Sequence, residues 1–387
     1  FTITRGDVPV SSVKAAYMFD SQTGYIRIEN FGRTTLMEML NALAILSHKG
    51  MKGVIIDLRG NMGGIFETAV LMANEFLSRG QLIVYAEGRK YPREDKRANG
   101  NGSFQKLPLV VLVDEYSASS SEIFAGAIQD NDRGLVVGRR TFGKGLVQQP
   151  IEFSDGSAIR LTIARYYTAA GRCIQRPYNR GYDENYELDI LNRYNRGEFS
   201  HRDSIHLNTE KPFYTTRLHR PVYEASGIMP DIFVPLDTLG YTSWLLAVRN
   251  LYLPEQFCFN YIDTHRGELQ EYSDIEDLTA YLKKERIVEK FASYANSHGV
   301  KRRNLMIRKS YGVIEERLFA NIIYTLLGES SMYQYLNEHD DTVIAAAELV
   351  REGKTYPQAP EEEDSPGRKE KKGALQPDAR AASGSGK

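Results

Sequence analysis

An α/β protein, with a layered core followed by a mainly α-helical second unit, is what the sequence predicts. Three observations carry the prediction. From 24 to 147, stretches of strand character alternate with stretches of helical spacing, the pattern of a layered α/β core. One of those stretches, 53–58, is apolar without a break up to Asp57, as a strand covered on both faces must be. From about 236 to 353 the strand signals give way to helical ones.

Taken in order, residues 24–30 alternate apolar and polar, which suits a half-buried strand. In 34–47, Leu36, Met39, Leu40, Leu43 and Leu46 fall on one helical stripe. Helical spacing returns in 66–77 and 121–129, and strands are expected at 81–86, 107–113 and 134–138. Ser154-Asp155-Gly156 is a hairpin turn signal, and the β-branched, aromatic strand 157–167 follows it. Residues 176–226 are polar, rich in Tyr and Arg and almost without periodicity, so they are expected to form an insertion. Strand character returns at 227–234, and helices are expected at 275–291 and 313–327. The expected domains are a core over 10–240 interrupted by 176–226, and a helical unit over 241–355. Residues 1–9 are expected to be the remnant of an upstream segment. Residues 356–387, dominated by Pro, Glu, Lys, Gly and Ser, are expected to be a disordered tail.

Composition narrows the function classes. The 387 residues carry 49 basic and 50 acidic side chains, so no general pull toward nucleic acid or an anionic membrane arises. No run reaches the roughly 18 apolar residues that a spanning helix requires. Cys173 and Cys258 lack the spacing of a zinc site, and no His-Glu-x-x-His is present, so no metal is expected.

Three constellations stand where a strand hands over to a helix or turn. Asp57-Leu-Arg-Gly-Asn-Met-Gly-Gly64 is glycine-rich, and glycines at such a turn let backbone N–H groups point into a site. A tight structural turn explains it equally well. Tyr116-Ser-Ala-Ser-Ser-Ser-Glu122 precedes a helix. Its serines suit N-caps, Ser117 and Ser121 in particular, and a nucleophile there would also gain from the helix dipole. Thr141-Phe-Gly-Lys-Gly-Leu-Val-Gln-Gln149 sets Lys144 between two glycines and apolar neighbours. A surface lysine is the ordinary reading of that residue. A partly buried amine, whose charged form is disfavoured, is the functional one. The seven histidines offer no partner for a Ser-His-Asp triad. Ser11-Ser-Val-Lys14 matches a Ser-x-x-Lys signature but lacks the accompanying motifs.

Together these motifs, continued by 166–175 and 227–231, resemble the carboxyl-terminal processing peptidases, also called tail-specific proteases. The likeness covers about 1–175 and 227–240. It implies a crotonase/ClpP-like layered core and a serine endopeptidase with a Ser/Lys dyad. The family's lysine lies 25 positions after its nucleophile, which implies Ser119 paired with Lys144. Gln148, four positions on, is then expected to orient Lys144. The oxyanion hole is expected at the Gly63 and Ser120 amides, with Asp130 in a supporting place. The family's Ala at the position of Ser120 and its Gly or Ser at that of Met62 are replaced here.

The resemblance further implies no cofactor and a substrate that is an unfolded polypeptide C-terminus. It implies no nucleic-acid partner, a homo-oligomer as one option, and a periplasmic or cell-envelope location. It implies too a PDZ domain, usual in the family, of which only the exit strand is expected within this sequence, at 1–9. Two rivals stand beside this reading: a non-catalytic peptide-binding scaffold of the same fold, and a crotonase-like acyl-transfer enzyme.

Overall fold

A computed structural model describes residues 3–6, 10–178, 186, 188–205, 210–224 and 226–359. The segment expected at 1–9, the insertion 176–226 and the tail 356–387 lie partly outside them.

The main sheet begins with β1 (Val13–Met18), β2 (Thr23–Ile28) and β3 (Gly53–Asp57). The chain then makes β4 (Leu82–Gly88) and β5 (Tyr91–Arg97) of a second sheet. It returns to the main sheet for β6 (Leu109–Val113) and β7 (Leu135–Gly138). The hairpin β8 (Leu146–Glu152) and β9 (Ala158–Thr168) completes the second sheet. A short pair follows, β10 (Phe213–Tyr214) and β11 (Pro221–Val222), before β12 (Ile232–Phe233) closes the main sheet. The main order is β1-β2-β3-β6-β7-β12, parallel except for β1 with β2. The second sheet is antiparallel, ordered β5-β4-β9-β8.

Helices α1 (Thr35–His48), α2 (Phe66–Asn74) and α3 (Ser120–Asp130) cover one face of the main sheet. There Met39, Leu43, Met72 and Phe124 pack with Val54, Ile56 and Val111. The insertion contributes α4 (Asp189–Asn195). The helical unit follows with α5 (Ser243–Asn250), α6 (Leu253–Thr264), α7 (Arg266–Leu269), α8 (Ile275–Lys284), α9 (Ile287–Ser297), α10 (Asn304–Lys309) and α11 (Tyr311–Leu327). Their shared core gathers Phe257, Phe291, Leu318, Ile322 and the buried Trp244, whose indole N–H donates to the Lys301 carbonyl at 3.1 Å.

The last two helices, α12 (Glu329–Asn337) and α13 (Asp341–Arg351), turn back to the sheet. Val343, Ala346, Ala347 and Val350 of α13 pack on Ile55, Val110, Leu112 and Val137, the face opposite α1–α3. Burying each of the two valines stabilises that packing by about 1.5–3 kcal/mol. β3 is thus covered on both faces, which is why 53–56 is apolar throughout.

Several elements depart from expectation, among them the short strands β10 and β11 within the insertion. The helix expected at 275–291 is two, because Arg286 takes a left-handed conformation (φ 52°) that ends α8. The strand expected at 227–234 pairs only at Ile232–Phe233. Strands β1 and β5 were not anticipated. β5 reads Tyr-Pro-Arg-Glu-Asp-Lys-Arg, and its charges and proline suit an exposed sheet edge.

Candidate active site

Ser119 stands at the N-terminus of α3, at the end of buried β6. Its backbone is left-handed (φ 56°, ψ −113°), a conformation that costs a non-glycine residue on the order of 1–3 kcal/mol. The surroundings hold it there: its N–H donates to Glu122 Oε2 at 2.9 Å, and its carbonyl accepts from Glu122 and Ile123. The neighbouring serines spend their hydroxyls on carbonyls. Ser117 Oγ donates to Leu58, Ser120 Oγ to Gly64 and Ser121 Oγ to Asn61, at 2.8–3.1 Å. All three are buried, whereas Ser119 is half-buried and lines a cleft of about 720 Å³.

Lys144 and Gln148 line the same cleft. Lys144 is half-buried and flanked by Gly143 and Gly145. At Gly143 the backbone is left-handed (φ 89°), and a Cβ there would lie 2.6 Å from the Ser226 carbonyl, so only glycine fits. Gln148 is exposed on β8, just after a register shift between Val147 and Gln148. Through that shift the consecutive residues Val147 and Gln148 both face the cleft.

The glycine-rich loop 57–64 forms the opposite side. A Cβ on Gly63 (φ 102°) would lie 2.8 Å from both the Ala118 carbonyl and Ser119 Cβ, so the loop touches the serine turn directly. The Gly63 N–H, expected as an oxyanion donor, is already engaged by Asn61 Oδ1 at 2.9 Å. Among the described residues the Gly64 and Ser120 N–H groups have no acceptor. Gly64 lines the cleft beside Met62, which is 74% exposed. The loop is stitched to the serine turn: Ala118 N–H donates to the Asn61 carbonyl at 3.0 Å and Gly60 N–H to Asp114 Oδ1 at 2.8 Å. Behind it, buried Asp57 accepts from Tyr25, Arg27 and Arg59. Burial works to raise the Asp57 carboxyl, but the two guanidinium groups outweigh it and hold it well below the usual carboxylate range.

Asp130 lies outside the cleft, at the far end of α3. It is fully buried, ion-paired with Arg172, and accepts the Ala170 N–H at 3.0 Å.

Sequence reasoning missed the residue that joins the serine turn to the Lys144 loop. The Glu122 carboxylate, wholly buried, receives Thr141 Oγ1 (2.6 Å), Gly143 N–H (2.7 Å), Lys144 N–H (2.8 Å) and Ser119 N–H (2.9 Å). Burial pushes this carboxyl above the ordinary glutamate value, although its four donors pull the other way. Its signal was in plain sight as Ser119-x-x-Glu122, the pattern of a capping box. Missed as well was Arg193 of α4, which donates to the Arg140 and Thr141 carbonyls at 2.6 and 3.0 Å and so braces the segment before Lys144.

The rest of the cleft is mixed: Ile65, Phe66, Ala86 and Tyr166 stand with Met62, the charged Glu67, Glu94, Lys96 and Arg160 line it too, and the Phe66 and Tyr166 rings stack at 5.2 Å. Burial pushes the Tyr166 hydroxyl up to about 12. Among the described residues no group of His, Cys, Asp or Glu is arranged to hold a metal ion, and no helix is long and apolar enough to cross a membrane.

Comparison with known proteins gives two family matches. Residues 22–187 match the model of Peptidase family S41, and residues 244–328 match a family of unknown function (DUF8443). A chloroplastic C-terminal processing peptidase from Tetradesmus obliquus is 43% identical over 150 residues, 39% of this chain and 32% of that protein. Carboxy-terminal processing protease CtpA from Bacillus subtilis is 39% identical over 175 residues, 45% of this chain and 37% of that protein. The chain thus spans about a third of the length of these curated relatives. Among solved structures, a photosystem II D1 C-terminal processing protease aligns with 29% identity and a TM-score of 0.43, covering 60% of this chain and 50% of that one.

Proposed function

We propose that this chain, whose residues 22–187 match the model of Peptidase family S41, is a serine endopeptidase that cleaves extended polypeptides near their C-termini with a Ser119/Lys144 dyad. The observation that carries the reading is the cleft itself. Of the serines in the 117–121 turn, only Ser119 opens into the cleft, and it shares that cleft with Lys144 and Gln148.

In this mechanism the Lys144 amine takes the Ser119 proton while Oγ attacks the peptide carbonyl. The Ser120 and Gly64 amides, which have no other acceptor among the described residues, hold the oxyanion; each such donor is worth about 3 kcal/mol. Lys144 then protonates the leaving amine, and water releases the acyl-enzyme. Gln148 orients Lys144. Glu122 fixes both loops by their backbones, and Asp130 braces the far end of α3. No metal or cofactor takes part.

The fold is read as a crotonase/ClpP-like layered core over 10–240, with 176–226 inserted and a helical domain over 241–355. The setting is a bacterial periplasm or envelope, and the enzyme acts as a single chain or a homo-oligomer.

Cleavage of casein by the parent chain, Ser119→Ala and Lys144→Ala tests the assignment, alongside labelling by a fluorophosphonate. The parent is expected to cut and label, and both variants to lose at least about 1,000-fold in rate. Cleavage that survives Ser119→Ala would overturn the proposal.

A further inference from the structure

The loop that flanks Ser119 is gripped from the far end of the chain. Arg59 donates Nε and Nη2 to Asp57, at 2.7–3.0 Å, and extends Nη1 to Asp340 Oδ2 at 2.7 Å. These partners are 281 positions apart in sequence. Asp340 is fully committed: its other oxygen, Oδ1, caps α13 by accepting from the Thr342 and Val343 N–H groups at 2.9 and 3.1 Å. One carboxylate therefore joins the start of a helix packed on the main sheet to a side chain two residues before Asn61. Asn61 in turn holds the Gly63 N–H and accepts from Ala118 and Ser121. A parallel tie runs from α12, where Asn337 donates to the Tyr17 hydroxyl at 2.7 Å.

We propose that Asp340 is a positioning residue for the cleft: through Arg59 the C-terminal helices α12 and α13 set the Gly60–Gly64 backbone against Ser119. The helical extension is then part of the working site, although none of its side chains lines the cleft. This inference rests on the proposed function. The physical basis is rigidity. A guanidinium shared between two carboxylates has its orientation fixed by forked hydrogen bonds. With Asp340 neutral, Arg59 keeps Asp57 but loses the anchor that pins its outer nitrogen, and the glycine-rich loop beyond it has little of its own to resist movement.

Asp340→Asn separates the link from the fold, because asparagine caps a helix as well as aspartate does. The full chain is compared with D340N and with Arg351→Ala, which removes a different contact of α13, the 3.3 Å ion pair to Asp20. Amide hydrogen exchange in 58–66 is expected to quicken at least about 5-fold in D340N, and to stay at the parent rate in 109–113 and in R351A. The kcat for casein and the rate of fluorophosphonate labelling of Ser119 are expected to fall about 10-fold in D340N, with KM within 2-fold and the melting temperature little changed. Asp340→Glu, which restores the charge, is expected to recover part of the labelling rate.

Parent-like exchange in 58–66 of D340N overturns the inference, whether or not the chain cuts peptide bonds. So does a loss of labelling that only tracks a lower folded fraction. Faster exchange together with labelling that ignores Ser119→Ala would overturn the proposed function instead, and with it the catalytic meaning of the link.

Discussion

The two sides of the cleft are built differently. Its floor, the loop 57–64 with the turn 114–119, grows out of the buried ends of β3 and β6, and nearly every polar atom in it has a partner. Its wall is the β8–β9 hairpin, whose outer half is exposed along both strands. On the wall the exposed cross-strand pair Pro150 and Arg160 lines the cleft, while Ile151 and Ile159, 42% and 49% exposed, lie outside its lining. The contrast follows from what each side does in the proposed reaction. Donors for a developing charge act best when fixed before the reaction begins. A surface that receives varied unfolded segments gains from side chains that can adjust.

The contrast can be broken first at Asp57. Asp57→Asn removes the buried charge that Arg27 and Arg59 share, and is expected to cost about 4 kcal/mol by urea unfolding at pH 6. The sign of the pH dependence is fixed. Native Asp57 lies below its unfolded value of about 3.9, so its stabilisation is complete above that pH and is lost as the pH falls toward the native value. The gap between parent and D57N is therefore expected to narrow between pH 4 and pH 2. A constant gap would show that the floor does not depend on this charge.

Glu122 comes next. Glu122→Ala leaves four donors, two of them buried, without their acceptor and is expected to cost about 2–3 kcal/mol. By freeing the Ser119 and Lys144 backbones it should lower kcat/KM about 100-fold. Parent-like kinetics in a folded E122A would mean that the two loops keep their distance without it. The smallest effect is expected on the wall. Arg160→Ala should move stability by no more than about 0.5 kcal/mol and kcat not at all, any change falling on KM for casein. A large loss of kcat there would erase the distinction between floor and wall.

How far the sequence foretold this depended on range. β3, β6 and the helices between the sheets were legible because burial writes itself into apolar spacing. The Ser119 and Lys144 motifs were legible because each is a short run of small residues at a turn. Strand β5 was not, since an edge strand covered in charge lacks the apolar signature. The break at Arg286 was not, because neither glycine nor proline marks it. The engagement of the Gly63 amide by Asn61 was hidden for another reason: a side-chain choice within a loop decides which N–H stays open. The bond from Arg59 to Asp340 had no local trace at all.

The placement of Trp244 has a practical consequence. It is the only tryptophan in the chain, and it is buried in the helical unit with its indole N–H bonded and its ring set edge-on to Phe291 at 6.0 Å. Intrinsic fluorescence excited at the red edge therefore reports one location, remote from Ser119 in sequence. Followed during denaturation beside the far-ultraviolet circular dichroism of the whole chain, that single emitter shows whether the two halves melt as one cooperative block or in succession.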